Sequence, residues 1–184
     1  MTRDILTFGA GVLREKSVRV ESVTDGIRRL VRDMLETMYA NQGAGLAAEQ
    51  IGRTEAICVI DVSYARQGVP PDQVENADVP MPLVMLNPEI VAMEGEQTGQ
   101  EGCLSFPEIF VNIKRAAAVT ARYMDLDGRT REVRAVGLLA RAIQHEFDHL
   151  EGVLLVDRMS HMQKLAVSGR LKRLKGEPRS HYVS

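Results

Sequence analysis

The sequence predicts an α+β domain in which mixed strands and hairpins pack around a central late helix carrying His145-Glu146-Phe147-Asp148-His149. Three observations predict it. Apolar residues recur at helical spacing in two separate windows, short apolar runs bounded by turn residues lie between them, and an Asp-Gly pair joins two alternating runs. A chain of 184 residues suits one domain with a real core and is short for two. One domain is expected over residues 1–176, with 177–184 as a C-terminal tail.

The elements follow in order. Residues 1–21 read as extended or irregular chain. Ile27, Leu30, Val31, Met34, Leu35 and Met38 form one apolar stripe opposite Arg28, Arg29, Arg32 and Glu36, which predicts a core-packing helix. Ser22 or Thr24 is placed to cap it, and Asn41-Gln42-Gly43 stops it near Ala40. Residues 43–52 hold three glycines. This is no phosphate loop, since no Gly-Lys-Ser/Thr follows, and no dinucleotide turn, since it follows a helix. Its plain reading is a tight connection.

Residues 56–60 read as a buried strand with Cys58 as a small core side chain. Residues 63–82 turn to Gly, Pro, Gln, Asn and Asp and predict a long surface loop. Residues 83–86 predict a strand stopped by Asn87-Pro88, residues 89–93 another, and residues 95–102 a loop. Residues 119–124 and 130–136 flank Asp125-Leu126-Asp127-Gly128 as a hairpin. The late helix starts just after Gly137. Leu138, Ala142, His145 and His149 form one of its stripes; Leu139, Ile143, Phe147 and Leu150 form another, so it is buried on more than one side.

Composition narrows the function classes. Hydrophobic residues at 45% and charged residues at 26% are the balance of an ordinary globular protein. A net charge of -2 argues against nucleic-acid binding by the whole domain. The sign is uneven, however: residues 158–179 hold seven Lys/Arg against Glu177 alone. Two cysteines are too few for a disulfide framework. No apolar h-region follows Met1 and no window approaches ~18 apolar residues, so neither export nor a membrane span is expected, and a cytoplasmic location is. No pattern specifies an oligomeric state.

The H-E-x-x-H spacing carries the chemistry. On a helix, His145 and His149 lie about 40° apart and Glu146 about 100° round from His145. Two neutral imidazoles can share a divalent metal, with the carboxylate in reach of its water. Of the other histidines, His161 and His181 lie in the basic C-terminal region and read as exposed. The best remaining soft ligand is Cys103, within Glu101-Gly102-Cys103-Leu104-Ser105-Phe106-Pro107. A thiolate and two imidazoles leave one tetrahedral position open, as catalytic sites do.

Gly43-Ala44-Gly45-Leu46-Ala47-Ala48-Glu49-Gln50, Glu101-Gly102-Cys103-Leu104-Ser105 and Gln144-His145-Glu146-Phe147-Asp148-His149-Leu150 resemble, in order, the three signature motifs of the peptide deformylase family. The resemblance runs over roughly residues 5–174. It implies a metal-dependent hydrolase that removes the formyl group from N-formylmethionine on nascent peptides and releases formate. It makes Cys103, His145 and His149 the ligands of one divalent metal ion, with Fe(II) physiological and Zn(II), Ni(II) or Co(II) as substitutes. Glu146 becomes the catalytic acid/base, and Gln50 and the Leu104 N–H serve the oxyanion. Gly45 and Gly102 let main chain approach an extended peptide. Leu138 and Ala142, earlier on the His145 stripe, are candidates for the methionine pocket. Docking of the basic C-terminal segment to the ribosome is also implied.

Further expectations concern neighbours of the ligands. Glu101 pairs with Arg115 to brace the Cys103 turn, as in the family. Asp148 orients an imidazole, binds backbone, or is a solvated acid. Arg141 is a rim residue with its stem on apolar surface. The chain departs from the family at Ala44, at Phe8-Gly9-Ala10-Gly11, at Phe110 where some members place Arg, and in the longer 63–82 loop. Two other readings compete. A zincin-type endopeptidase shares H-E-x-x-H but takes its third ligand downstream, where only His161 and His181 stand. A non-enzymatic binder of formyl-methionyl chains would need neither Glu146 nor Gln50.

Overall fold

The computed structural model describes residues 1–176 and the backbone of residues 180–181. In chain order the first elements are β1 Ile5–Leu6, α1 Asp25–Ala40, β2 Gly45–Ala47, β3 Ile57–Ile60 and β4 Leu83–Glu94. They are followed by β5 Gln97–Glu101, β6 Val111–Arg115, β7 Ala118–Met124, β8 Thr130–Val136 and α2 Gly137–Leu150. The short helices α3 Leu155–Arg158, α4 His161–Ala166 and α5 Ser168–Gly176 come next, then β9 Ser180–His181. Helix and sheet are mixed, as expected. No helix among the described residues is long and apolar enough to cross a membrane.

One antiparallel sheet, in the order β2-β3-β4-β7-β8, separates two helices. Successive strand residues face opposite sides, and β3 uses both. Ile57 and Val59 join Leu30, Val31, Met34 and Met38 of α1 in one core. Cys58 and Ile60 join Leu139, Ala140 and Ile143 of α2 in another. All four β3 side chains are therefore buried. Thr24 caps α1 by accepting from the Ile27 N–H, and the helix ends at Ala40, as the stripe predicts. A third core joins Phe106, Ile109, Val111 and Ile113 to Leu13 and to Leu154, Leu155 and Met159.

Three expectations change. The break at Asn87-Pro88 is a bulge within one long strand: β4 shifts register against β7 between Leu86 and Glu89. Asn87 takes φ 51°, which asparagine tolerates, and its side chain bonds both the N–H and the carbonyl of Val20 at 2.8 Å. Pro88 lacks an N–H, so the irregularity falls where the ladder would lose a donor. Second, the 95–102 loop is only a turn at Gly95, after which β5 pairs along its length with β6. Third, residues 43–52 are not a bare connection. They form the edge strand β2 and a 3-10 turn, Ala48–Ile51.

The 63–82 segment is a loop with two 3-10 turns, and it is pinned. The Asn76 amide exchanges two hydrogen bonds with Val136, and Glu75 packs where a Cβ on Gly137 would stand. Glycine at 137, with φ 56°, thus admits the loop onto the start of α2. The basic C-terminal stretch is helical, with Lys164, Arg170, Lys172, Arg173 and Lys175 exposed. Of the expected 177–184 tail, Ser180–His181 pairs with β1; the rest lies outside the described residues. Asn87→Ala should lower the unfolding free energy by about 1–3 kcal/mol in urea titrations, since it strands the Val20 N–H.

Candidate metal centre and active site

α2 places His145 and His149 one turn apart, and their rings meet edge-on with centroids 5.1 Å apart. Cys103 reaches them from the turn after β5; its Sγ lies 3.3 Å from His149 Nε2. One ligand atom from each of Cys103, His145 and His149 falls within 4.8 Å of the others. His145 Nδ1 is 3.0 Å from Glu101 Oε2, so that nitrogen is engaged by a carboxylate and the other is free to coordinate. A soft sulfur, two imidazoles and a supporting carboxylate fit one divalent ion with a position left open.

Charge around the cluster is arranged in a chain. Arg115 grips both oxygens of Glu101 at 2.9 and 3.0 Å, as expected. Its Nη1 meets Asp148 at 2.5 Å, and Asp148 also pairs with Arg158 of α3. Asp148 therefore binds guanidinium groups, not an imidazole. Arg141 is not a rim residue: it is 6% exposed and donates to Glu101 at 2.7 Å. Burial works against the Glu101 charge, but the His145 and Arg115 hydrogen bonds prevail and hold its carboxyl far below the usual carboxylate range. Burial opposes a charge on His145 too, yet Cys103 and Glu101 raise its pKa well above the ordinary value. Burial and the neighbouring cations push His149 well below it.

Glu146 is buried on the same turn, its carboxyl raised to about 7 by burial while the His145 charge opposes. Gly45 makes this possible. A Cβ there would lie 2.8 Å from Glu146 Cδ and collide with the carboxylate. Gln50 accepts from the Ala47 N–H through Oε1, at 2.9 Å. This turns its Nε2 toward Ser105 Oγ at 3.1 Å and Cys103 Sγ at 3.5 Å. Ser105 had no expected role; the signal was a polar residue inside the Leu104-Ser105-Phe106 run. Among the described residues no protein acceptor takes the Leu104 N–H.

A cleft of about 570 Å³ gathers Gln50, Cys103, Leu104, His145 and Glu146 with Gly45, Gly102, Leu138 and Ala142. Ala44, Tyr64 and Phe110 also line it, and Phe110, 64% exposed, lies over Gly102. Gly102 leaves room for that ring, since a Cβ would stand 2.6 Å from Phe110 Cε1. His161 is exposed at the start of α4 and takes no part in the cluster. A hollow of similar size beside α1, lined by Arg3, Arg29, Arg32 and Arg53, holds none of the motif residues.

The family described as Polypeptide deformylase matches residues 2–165. The chain belongs to the polypeptide deformylase family. It is 45% identical over 163 residues to a peptide deformylase of Thermomicrobium roseum, covering 89% of each chain. It is 43% identical over 173 residues to one of Alkalilimnicola ehrlichii, covering 93% of this chain and 89% of the other. The crystal structure of the Ehrlichia chaffeensis peptide deformylase superposes with TM-score 0.83 at 35% identity, over 96% of this chain and 98% of that one. Members of the family are metal-dependent hydrolases, and this chain is one, removing the N-formyl group of newly made polypeptides.

One buried acid stands outside this machinery. Glu49 is 0% exposed and neither carboxylate oxygen has a partner among the described residues. Burial, reinforced by the Glu146 charge, pushes its carboxyl up to about 8 from 4.5. The unfolded chain releases this proton near pH 4.5 and the folded chain only near 8, so folding stability falls across that window and levels off above it. Glu49→Gln should remove the loss. Its advantage in unfolding free energy should be smallest near pH 4 and widen up to about pH 8; a constant difference would mean Glu49 is ionised in the fold.

Proposed function

We propose that deformylation runs on Cys103, His145 and His149 as metal ligands, Glu146 as proton carrier, and Gln50 and the Leu104 N–H as oxyanion donors. The observation that carries this reading is their convergence: the three ligand atoms cluster within 4.8 Å, and Gln50, Leu104 and Glu146 line the cleft that reaches Cys103 and His145. The ligands would hold one divalent ion, whose Lewis acidity makes a hydroxide nucleophile available at neutral pH. Fe(II) is the physiological ion in this reading, and the same donor set accepts Zn(II), Ni(II) or Co(II).

The chain's own groups supply the rest. Formamide hydrolysis needs a proton removed from water, a stabilised tetrahedral oxyanion and a proton for the departing amine. Glu146 takes the first proton on its carboxylate and delivers it to the methionine nitrogen. Gln50 Nε2 stands 3.5 Å from Cys103 Sγ, and the Leu104 N–H has no protein acceptor among the described residues, so a donor beside the sulfur and an uncommitted N–H in the same cleft can both serve the oxyanion. Losing one such donor typically costs ~2.7–4 kcal/mol of barrier. Gly45 and Gly102 bring bare backbone to the cleft, where an extended peptide can lie against the edge strand β2. Leu138 and Ala142 offer the methionine side chain an apolar wall.

Protein purified anaerobically should release formate from formyl-Met peptides. Metal-loaded protein that releases none would sink the proposal. Glu146→Ala should keep its metal and lose roughly 10²–10⁴-fold in turnover; equal activity would refute the role given to Glu146. Gly45→Ala, which displaces the Glu146 carboxylate without removing it, should keep the metal and lose on the order of 10²-fold in kcat. Unchanged kcat in that variant would show that the carboxylate can move without consequence.

A further inference from the structure

We propose that Arg141 is a positioning residue for the metal centre, holding the Glu101 carboxylate against His145 in a slot walled by the bare backbone of Gly99. The inference rests on the reading of Cys103, His145 and His149 as ligands.

Arg141 lies one turn before His145 on α2, so the two side chains share a face. Its Nη1 donates to Glu101 Oε1 at 2.7 Å, to the Ile113 carbonyl at 2.9 Å and to the Gly99 carbonyl at 3.3 Å. That single nitrogen ties α2 to both strands of the β5–β6 pair. The other Glu101 oxygen faces His145 Nδ1. Arg115 grips Glu101 as well, but it stands on β6, the partner strand of β5. Arg141 is the guanidinium that belongs to the helix of His145. It fixes the carboxylate to that helix directly, whereas Arg115 reaches the same helix only through Asp148.

Gly99 shapes the slot. A Cβ there would lie 3.0 Å from Arg141 Nη2, 3.2 Å from Cζ and 3.3 Å from Nε, so the guanidinium packs flat on bare backbone. Nη2 is buried without an acceptor. A stranded donor costs ~1–3 kcal/mol, and an apolar side chain of similar length would fill the slot without that cost. Packing alone therefore does not account for arginine here; its charge on Glu101 does. Because Arg141 also lines the cleft, the competing role is a wall of the substrate pocket. The two roles separate experimentally. Holding Glu101 acts on the metal and on kcat, whereas a pocket wall acts on KM.

Co(II) affinity of anaerobically prepared metal-free protein, measured by chelator competition, tests this on native chain, Arg141→Met, Arg141→Lys and Gly99→Ala, with thermal unfolding as the fold check. Arg141→Met should weaken Co(II) binding roughly tenfold, the size expected for a partner behind a ligating histidine, and should alter the Co(II) absorption spectrum. Arg141→Lys should recover part of the affinity, because an ammonium still faces Glu101 but lacks the guanidinium fork. Gly99→Ala should weaken binding in the same direction with every charge retained. On formyl-Met peptides the loss should fall on kcat, with KM held within about twofold. Native Co(II) affinity in both Arg141→Met and Gly99→Ala would overturn the proposal, as would a loss confined to KM. A native chain that binds no Co(II) would instead remove the metal-centre reading itself, and that control is read before any variant.

Discussion

The imidazole of His145, a proposed metal ligand, has its second nitrogen occupied by a carboxylate, and that contact organises the surrounding structure, whereas His149 Nδ1 is buried without a partner among the described residues. His145 Nδ1 is met by Glu101, which brings a carboxylate into the interior. A buried carboxylate needs cations, and Arg115 and Arg141 supply them. Arg115 needs Asp148, and Asp148 draws in Arg158 from α3. Two carboxylates and three guanidinium groups alternate along this chain, tying α2, α3 and the β5–β6 pair together. Removing Arg115 takes a buried partner from both carboxylates at once, a loss of several kcal/mol, whereas the intact pairs contribute little net stability. The arrangement defines geometry more than it stabilises the fold.

The opposite wall of the cleft follows a different logic, one of absent atoms. Glu146 fits because Gly45 has no Cβ, and Phe110 because Gly102 has none. Each glycine admits a specific neighbour, so the glycine-rich stretches shape the cleft while leaving backbone open to an extended ligand. The 63–82 loop belongs to this wall. Asn76 pins it to Val136, and Tyr64 and Phe110 place exposed aromatic surface at the cleft. Among the described residues Arg141 is the one Lys or Arg that lines the cleft, and it is paired with Glu101, so the rest of the wall is largely apolar around His145 and the acids Glu108 and Glu146.

The parts legible in the sequence were those written in local periodicity or in motif spacing. The α1 stripe located its helix, because burying one face requires an apolar side chain every three to four residues, and of the two candidate caps, Ser22 and Thr24, the fold uses Thr24. The Asp-Gly pair located the β7–β8 turn. Cys103, His145 and His149 were recognisable as candidate ligands by residue type, and the fold brings their ligand atoms together. The continuous β4 was not legible, since Asn87-Pro88 is a normal stop signal and only the bonds to Val20 reveal a bulge. Nor was β5, whose Gln97-Thr98-Gly99-Gln100-Glu101 carries no apolar alternation. Its strand character comes from pairing with β6, a partner about a dozen residues away.

The sequence by itself determined the reaction class: three motifs in order, with donors suited to one divalent ion and a carboxylate beside them. The Glu101–Arg115 pair was expected from the family resemblance, but tertiary structure alone decided what Arg141 and Asp148 do. Arg141 looked like a surface residue because arginine on a helix usually reaches water. It became an interior cation only when β5 was laid against α2 and Gly99 opened a slot for it. Asp148 reads equally as an imidazole partner, a backbone ligand or a solvated acid until Arg115 and Arg158 converge on it. Ligand types are carried by side-chain chemistry, which is visible residue by residue. The partners of a buried charge are set by which strands the chain brings across that helix, and no local pattern encodes them.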